Sequence, residues 1–215
     1  MGKYKLVIFD LDGTILDTLD DLTDSTNYAL KSCGLAARTV DEVRRFLGNG
    51  IRLLIERAVP VGTAPETVDA VFDTFKAYYK DHSADKTRPY DGVCDLMAEL
   101  REAGYTVAVL SNKADFAVQD LCRDYFPGLI DYAAGEKEGV KRKPDPEAVF
   151  ALLEDCGVSA AEAVYIGDSE VDIATAANAG LDEIAVTWGF RSRQWLEEHG
   201  AVILADSTDE VRKLL

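Results

Sequence analysis

The feature that most limits how this chain can fold is an apolar, β-branched run that stops at a pair of acids, Val7-Ile8-Phe9-Asp10-Leu11-Asp12-Gly13-Thr14. A run that is apolar at every position reads as a strand buried on both faces, and so as an inner strand of a covered sheet. Side chains repeat every second residue along a strand, so Asp10 and Asp12 are expected on the same side. Gly13 then lets the backbone turn away. Like charges held that close are destabilising unless a divalent cation or a shared proton answers them. The plainer alternative is a solvated strand end with acidic caps for the next element, and the rest of the chain has to decide.

After this strand the pattern is helical. Asp17 or Thr18 starts a helix to about Lys31, Thr39 to Glu42 has capping-box spacing, Gly48-Asn49-Gly50 interrupts, and Thr63 to Glu66 repeats the capping signal with Pro65 at the first turn. From Asp91 helices and strands alternate. The strands are Tyr105 to Leu110, a weaker one near Ile130 to Ala133, Ala163 to Ile166, Ile184 to Val186 and Val202 to Leu204. Such alternation implies an α/β fold, a doubly wound parallel sheet with ligands gathering at the carboxyl ends of its strands. Residues 1–16 and 88–215 form the expected core, and residues 17–87 an inserted all-helical domain.

Composition narrows the partners. A net charge of −16 speaks against binding nucleic acid, whose affinity comes from Lys and Arg neutralising phosphates. No apolar run approaches the roughly 20 residues that cross a bilayer, so no membrane partner is expected. The four cysteines are scattered, without a C-x-x-C pair, which fits a reduced, cytoplasmic setting. His82 and His199 lie outside every motif and suggest no metal cluster.

Three strand ends and one loop carry the chemistry. Asp10 and Asp12, Ser111 and Asn112, and Asp168 all fall at carboxyl ends of strands, on one edge of one sheet. Asp168 is a candidate ligand beside Asp10 for magnesium, which prefers carboxylate oxygens, waters and substrate phosphate. Asp172 follows it at the four-residue spacing that stacks side chains on a helix. Ser111 and Asn112 either cap a helix beginning near Lys113 or hold phosphate oxygens at its start. Lys143, pinned by Pro144 and Pro146, is a candidate fixed cation for a phosphoryl group, with Lys141 and Arg142 as less constrained rivals. In this arrangement Asp10 attacks phosphorus to form an aspartyl-phosphate, and Asp12 gives a proton to the leaving alkoxide and later activates water. The helical insertion closes over the site and reads the leaving group.

Asp10-Leu11-Asp12-Gly13-Thr14, Ser111-Asn112, Lys143-Pro144 and Gly167-Asp168-Ser169-Glu170-Val171-Asp172 resemble, in that order, the four motifs of the haloacid dehalogenase-like hydrolases with a helical cap after the first motif. The resemblance implies a Mg2+-dependent phosphatase acting on a small phosphoester, as a monomer or homodimer. It implies Asp10 as nucleophile and magnesium ligand, Asp12 as acid/base whose backbone carbonyl also ligates, and Asp168 as a further ligand. Ser111, Asn112 and Lys143 would hold phosphate, with Thr14 and Asp172 in support. Arg44-Arg45-Phe46-Leu47-Gly48-Asn49-Gly50, Tyr90-Asp91-Gly92-Val93 and Thr187-Trp188-Gly189-Phe190-Arg191 look most like the phosphoglycolate phosphatase branch, which implies 2-phosphoglycolate as substrate. On that view Arg44, Gly48, Asn49 and Gly50 are the cap's specificity residues. The acids Asp17, Asp20, Asp21 and Asp24 depart from what a cap that reads a second substrate carboxylate needs.

Rival readings separate by product. A carbon–halogen hydrolase has no use for Asp12, whereas a phosphosugar mutase or a pyrophosphatase keeps both acids. A phospho-acceptor signalling domain also pairs an Asp with Lys and Ser, but is shorter, lacks the insertion and carries its acceptor on a middle strand. No G-x-G-x-x-G or P-loop pattern follows any strand.

Overall fold

A computed structural model describes residues 3–215. The chain runs β1 (Leu6–Phe9), β2 (Leu16–Asp17), α1 (Leu19–Ser32), α2 (Val40–Phe46), α3 (Gly50–Ala58), α4 (Pro65–His82), β3 (Arg88–Pro89), α5 (Val93–Glu102), β4 (Thr106–Ala114), α6 (Asp115–Tyr125), β5 (Tyr132–Glu136), α7 (Glu147–Cys156), β6 (Ala163–Gly167), α8 (Glu170–Ala179), β7 (Asp182–Val186), α9 (Arg193–Glu198), β8 (Leu204–Ala205) and α10 (Thr208–Leu214). It divides into two compact units, Met1–Leu16 with Pro89–Leu215, and Asp17–Arg88.

The first unit is built on a parallel sheet of order β5-β4-β1-β6-β7-β8. The opening strand is fully buried because it is apolar on both faces. Val7 and Phe9 pack with Val107, Val109, Ile166 and Val186 against Met97 of α5, Leu121 of α6 and Val211 of α10. Leu6 and Ile8 face the other way, onto Val149 and Leu153 of α7 and Ala176 of α8. Helices therefore cover both faces, which is the doubly wound arrangement. The sheet runs from β1 outward in two directions, so the crevice outside the carboxyl ends of β1, β4 and β6 is where a ligand is expected.

The second unit is helical. Leu22, Ala29 and Leu30 of α1 and Val68, Val71, Phe75 and Tyr79 of α4 are its buried faces, with Leu54, Ile55 and Ala58 of α3. Thr39 caps α2 as its sequence predicts: the Thr39 hydroxyl accepts from the Glu42 N–H, and the Glu42 carboxylate accepts from the Thr39 N–H.

Several local expectations are corrected. Thr63 does not cap α4: the helix starts at Pro65, and the Thr63 hydroxyl donates instead to the Pro60 carbonyl. Thr18 stands at the start of α1 but makes no side-chain cap bond. Strand β4 runs on through Ser111 and Asn112 to Ala114, so the following helix begins at Asp115 and not near Lys113. β5 and β8 each lie about two residues further along than their hydropathy suggests. Among the described residues no helix is long and apolar enough to cross a membrane.

Candidate active site

The site assembles where β1, β4 and β6 end. Phe9 stands in register with Val109 on one side and Ile166 on the other, and the Asp10 N–H continues the ladder to the Ile166 carbonyl at 2.9 Å. The chain then coils tightly: the Leu11 carbonyl accepts from the N–H groups of Ile15 and Leu16, both at 3.0 Å. Gly13 takes φ 89°, a left-handed conformation that a side chain resists. A Cβ there would also lie 2.4 Å from Asp168 Oδ2, so the turn after β1 can sit against the end of β6 only without a side chain. Gly189 is equally confined, its Cβ direction blocked by the Gly13 carbonyl at 2.3 Å and Asp168 Oδ2 at 2.4 Å.

Asp10, Asp168 and Asp172 meet as one buried cluster, each placing a carboxylate oxygen within 4.8 Å of the others. Lys143 answers it: its Nζ lies 2.9 Å from Asp10 Oδ1 and 2.7 Å from Asp172 Oδ1. That ammonium also donates to the Tyr165 hydroxyl at 3.0 Å, which in turn donates to the Leu110 carbonyl at 2.9 Å. Burial works against the Lys143 charge and is outweighed by Asp10 and Asp172, which hold the lysine protonated well above its ordinary range. Three carboxylates against one lysine leave an excess of negative charge. Burial, with Asp172 beside it, raises Asp10 to about 7 despite Lys143. Burial and the neighbouring Asp172 and Asp10 push Asp168 well above the carboxylate range.

The three acids are held differently. Asp172 Oδ1 is taken by Lys143, and its Oδ2 accepts from the Ser169 N–H and hydroxyl at 3.1 and 2.6 Å. Strand end meets first helical turn here, so the pair Asp168 and Asp172 is not stacked on a shared helix face. Asp168 accepts from the Thr14 hydroxyl at 3.0 Å and from the Phe190 N–H at 2.7 Å. Asp10 Oδ1, fully buried, has no hydrogen-bond donor in line although Lys143 is close.

The Asp12 carboxylate stands outside that cluster and has a lysine of its own. Its two carboxylate oxygens lie 2.9 and 3.2 Å from Nζ of Lys113, whose side chain is buried in β4. Ser111 and Asn112 are buried on the same strand, in the stretch where the β4–β5 register slips between Leu110 and Ala114. Asn112 donates from Nδ2 to the Lys143 carbonyl at 3.1 Å, tying the lysine loop to the sheet. A cleft lined by Ser111, Asn112, Lys141, Arg142 and Lys143 opens beside them. Of the three loop cations Lys143 alone is buried, while Lys141 pairs with Asp145 and Arg142 with Glu136 near the surface.

Arg44, Gly48, Asn49 and Gly50 belong to the helical unit. Arg44 pairs loosely with Asp41 at 3.7 Å, Gly48 and Gly50 both have positive φ, and Asn49 precedes α3 without a side-chain cap bond. Four contributors have roles that the sequence pattern does not assign. Lys113, Tyr165 and Trp188 act through polar ends on residues that read as strand-end, core or packing, and Phe190 acts through its backbone. Trp188 donates from Nε1 to the Thr14 carbonyl at 3.0 Å.

Comparison with known proteins agrees with this geometry. The family model described as haloacid dehalogenase-like hydrolase matches residues 7–186. A phosphoglycolate phosphatase of Mesorhizobium japonicum is 38% identical over 92% of this chain and 89% of its own, and one of Agrobacterium fabrum is 33% identical over 94% and 88%. The crystal structure of a Lactobacillus delbrueckii protein, provisionally named phosphoglycolate phosphatase, superposes with a TM-score of 0.95 at 40% identity, covering 99% of this chain and 98% of that one. The chain belongs to the haloacid dehalogenase-like hydrolase family and is a phosphoric monoester hydrolase of that family.

Proposed function

We propose that this hydrolase removes phosphate from a small phosphomonoester, with 2-phosphoglycolate as the substrate its relatives' names favour, through an aspartyl-phosphate on Asp10 and with Mg2+ bound. The observation that carries this is the buried cluster itself, three carboxylates gathered at the end of a sheet with one lysine paired to two of them.

The donor set fits the metal. Carboxylate oxygens are what magnesium prefers, the excess negative charge calls for a cation, and Asp10 Oδ1 lacks a donor in line. Asp10 and Asp168 would hold it together with the Asp12 carbonyl, while Asp172, whose oxygens are taken by Lys143 and Ser169, supports them. A bound Mg2+ supplies charge stabilisation to the phosphoryl oxygens.

The chain's own groups do the rest. Lys143, buried and always charged, faces the developing negative charge, and Ser111 and Asn112 line the cleft next to it. An oxygen of Asp10 forms a bond to phosphorus as the bond to the leaving oxygen breaks, and the proton of Asp12 goes to that oxygen with its new electron pair. Asp12, now ionised, takes a proton from water; the hydroxide oxygen joins phosphorus, the aspartyl bond breaks, and phosphate leaves with both aspartates restored. We assign the helical residues 17–87 the part of a cap that excludes water and reads the alcohol, with Arg44 and the Gly48-Asn49-Gly50 turn as its contacts, and residues 1–16 and 88–215 the part of catalytic core.

Phosphate release from 2-phosphoglycolate, a hexose phosphate and pyrophosphate, with magnesium and then with it chelated, tests the proposal. Fastest turnover on 2-phosphoglycolate that chelation stops is expected. Conversion of the hexose phosphate into its isomer would make the protein a mutase, preference for pyrophosphate would make it a pyrophosphatase, and activity indifferent to chelation would overturn the metal assignment.

A further inference from the structure

Lys113 has no part in either step of the proposed reaction, yet the fold invests in it. Its side chain is 2% exposed, and fixing a lysine costs about 2 kcal/mol of rotamer entropy. Its ammonium straddles both oxygens of Asp12, at 2.9 and 3.2 Å. The backbone that delivers it is irregular: β4 slips register against β5 between Leu110 and Ala114, and such irregularities re-aim side chains beside sites. The irregularity is itself locked. A Cβ on Gly135 of β5 would meet the Lys113 carbonyl at 2.5 Å, and the Gly135 N–H donates to Asp115 at 2.9 Å.

Two buried lysines thus divide the acids at this sheet edge. Lys143 holds Asp10 and Asp172, and Lys113 holds Asp12. Without an ammonium of its own, the Asp12 carboxylate has every electrostatic reason to turn toward a cation bound by its neighbours. We infer that Lys113 is a positioning residue of the reaction, which keeps the Asp12 carboxylate apart from the Asp10–Asp168–Asp172 cluster and so available to the leaving-group oxygen. This rests on the reading of Asp12 as the acid that protonates that oxygen.

The test compares two leaving groups. An alkyl phosphate needs a proton at its departing oxygen, whereas p-nitrophenolate leaves without one, and kcat/KM reports the first chemical step for both. In Lys113→Met, kcat/KM for the alkyl phosphate is expected to fall by about 10–100-fold, a part of the roughly 10²–10⁴-fold that general acid catalysis supplies, and that for p-nitrophenyl phosphate by less than about threefold. Lys113→Arg restores most of the loss. Lys113→Met adds nothing on top of Asp12→Asn, because residues that act through one another are not additive. Thermal melts report folding, and Lys113→Gln replaces the Met variant if that one does not fold. Equal losses on both substrates, no loss on either, or full additivity with Asp12→Asn would overturn the inference. An Asp12→Asn enzyme that keeps its full alkyl phosphatase activity would instead overturn the reading on which it rests.

Discussion

Asp10, Asp168 and Asp172, far apart in the sequence and gathered by the fold at the end of the sheet, and Asp17, Asp21 and Asp24, close together at the start of the first helix, are two groups of three acids. Their surroundings differ. In the helical unit these three acids each have partners of their own: Asp17 pairs with Arg88 at 2.7 Å and Asp24 with Lys86 at 2.6 Å, both near solvent. Asp21 is buried, and it accepts from the Lys86 N–H at 3.0 Å and from the Thr87 N–H and hydroxyl at 2.8 Å. Its carboxylate ties the returning chain to α1. The solvated, dipole-favoured face that such a helix start suggests is therefore wrong for Asp21. At the sheet edge three buried acids meet one lysine, which pairs with two of them. What separates a site from a clasp here is whether each buried charge already has its complement.

If that contrast is right, the largest effects lie at the sheet edge and touch turnover while sparing the fold. Asp10→Asn is expected to lower phosphate release by at least about 10⁴-fold, the scale seen when a covalent nucleophile is removed. Its melting temperature should hold or rise, since one of three crowded carboxylates becomes neutral. A variant with substantial activity would take the nucleophile's role from Asp10. Magnesium should raise the melting temperature of the native protein, by about 2.7 kcal/mol of stability at a hundredfold excess over its Kd, and fail to do so in Asp168→Asn. Calorimetric scans with and without the ion check both halves.

The helical acid should behave in the opposite sense. Asp21→Ala leaves the buried Thr87 N–H and hydroxyl and the part-buried Lys86 N–H without an acceptor, which costs about 2–4 kcal/mol of stability. Turnover per folded molecule should change little. Urea melts and active-site-normalised rates measure the two separately, and a variant that is stable but slow would move Asp21 from clasp to site.

How much of this was legible depended on which atoms carry the role. Asp10 and Asp168 could be placed because β-branched runs announce parallel strands, and parallel strands share a carboxyl edge. Lys143 stood out through Pro144. Ser111 and Asn112 were legible as residues but not as structure: Ser-Asn reads as a helix start, whereas pairing with β5 carries β4 on to Ala114. Lys113, which reaches Asp12, lies within the register slip of β4, and no local propensity encodes that slip. Tyr165 was hidden as one more apolar strand residue, because only its hydroxyl matters to Lys143. Phe190 is visible in a motif but its role is not, because it gives Asp168 a backbone N–H that any residue owns. Thr63 had the right spacing for a cap, but with Pro65 opening the helix its hydroxyl found the Pro60 carbonyl instead.

Glu183 on β7 tests the contrast from a third side, as a largely buried acid that belongs to neither group. Its Oε1 is buried without a hydrogen-bond partner, and burial, with Asp172 nearby, raises it from 4.5 to about 8. With no complement it keeps a proton. A carboxyl whose proton affinity rises on folding adds stability that is fully present below its ordinary value and is lost as the pH climbs to about 8. Glu183→Gln cannot lose a proton and so escapes that loss. Between about pH 4 and pH 8 the balance should shift toward the variant by about 1–3 kcal/mol, discounted from the full shift because the residue is not wholly sealed from water. Melting temperatures of both proteins across that window read the shift directly. A gap that stays constant with pH would mean that Glu183 is ionised in the folded protein, and that some cation complements it as Lys143 complements the cluster at the sheet edge.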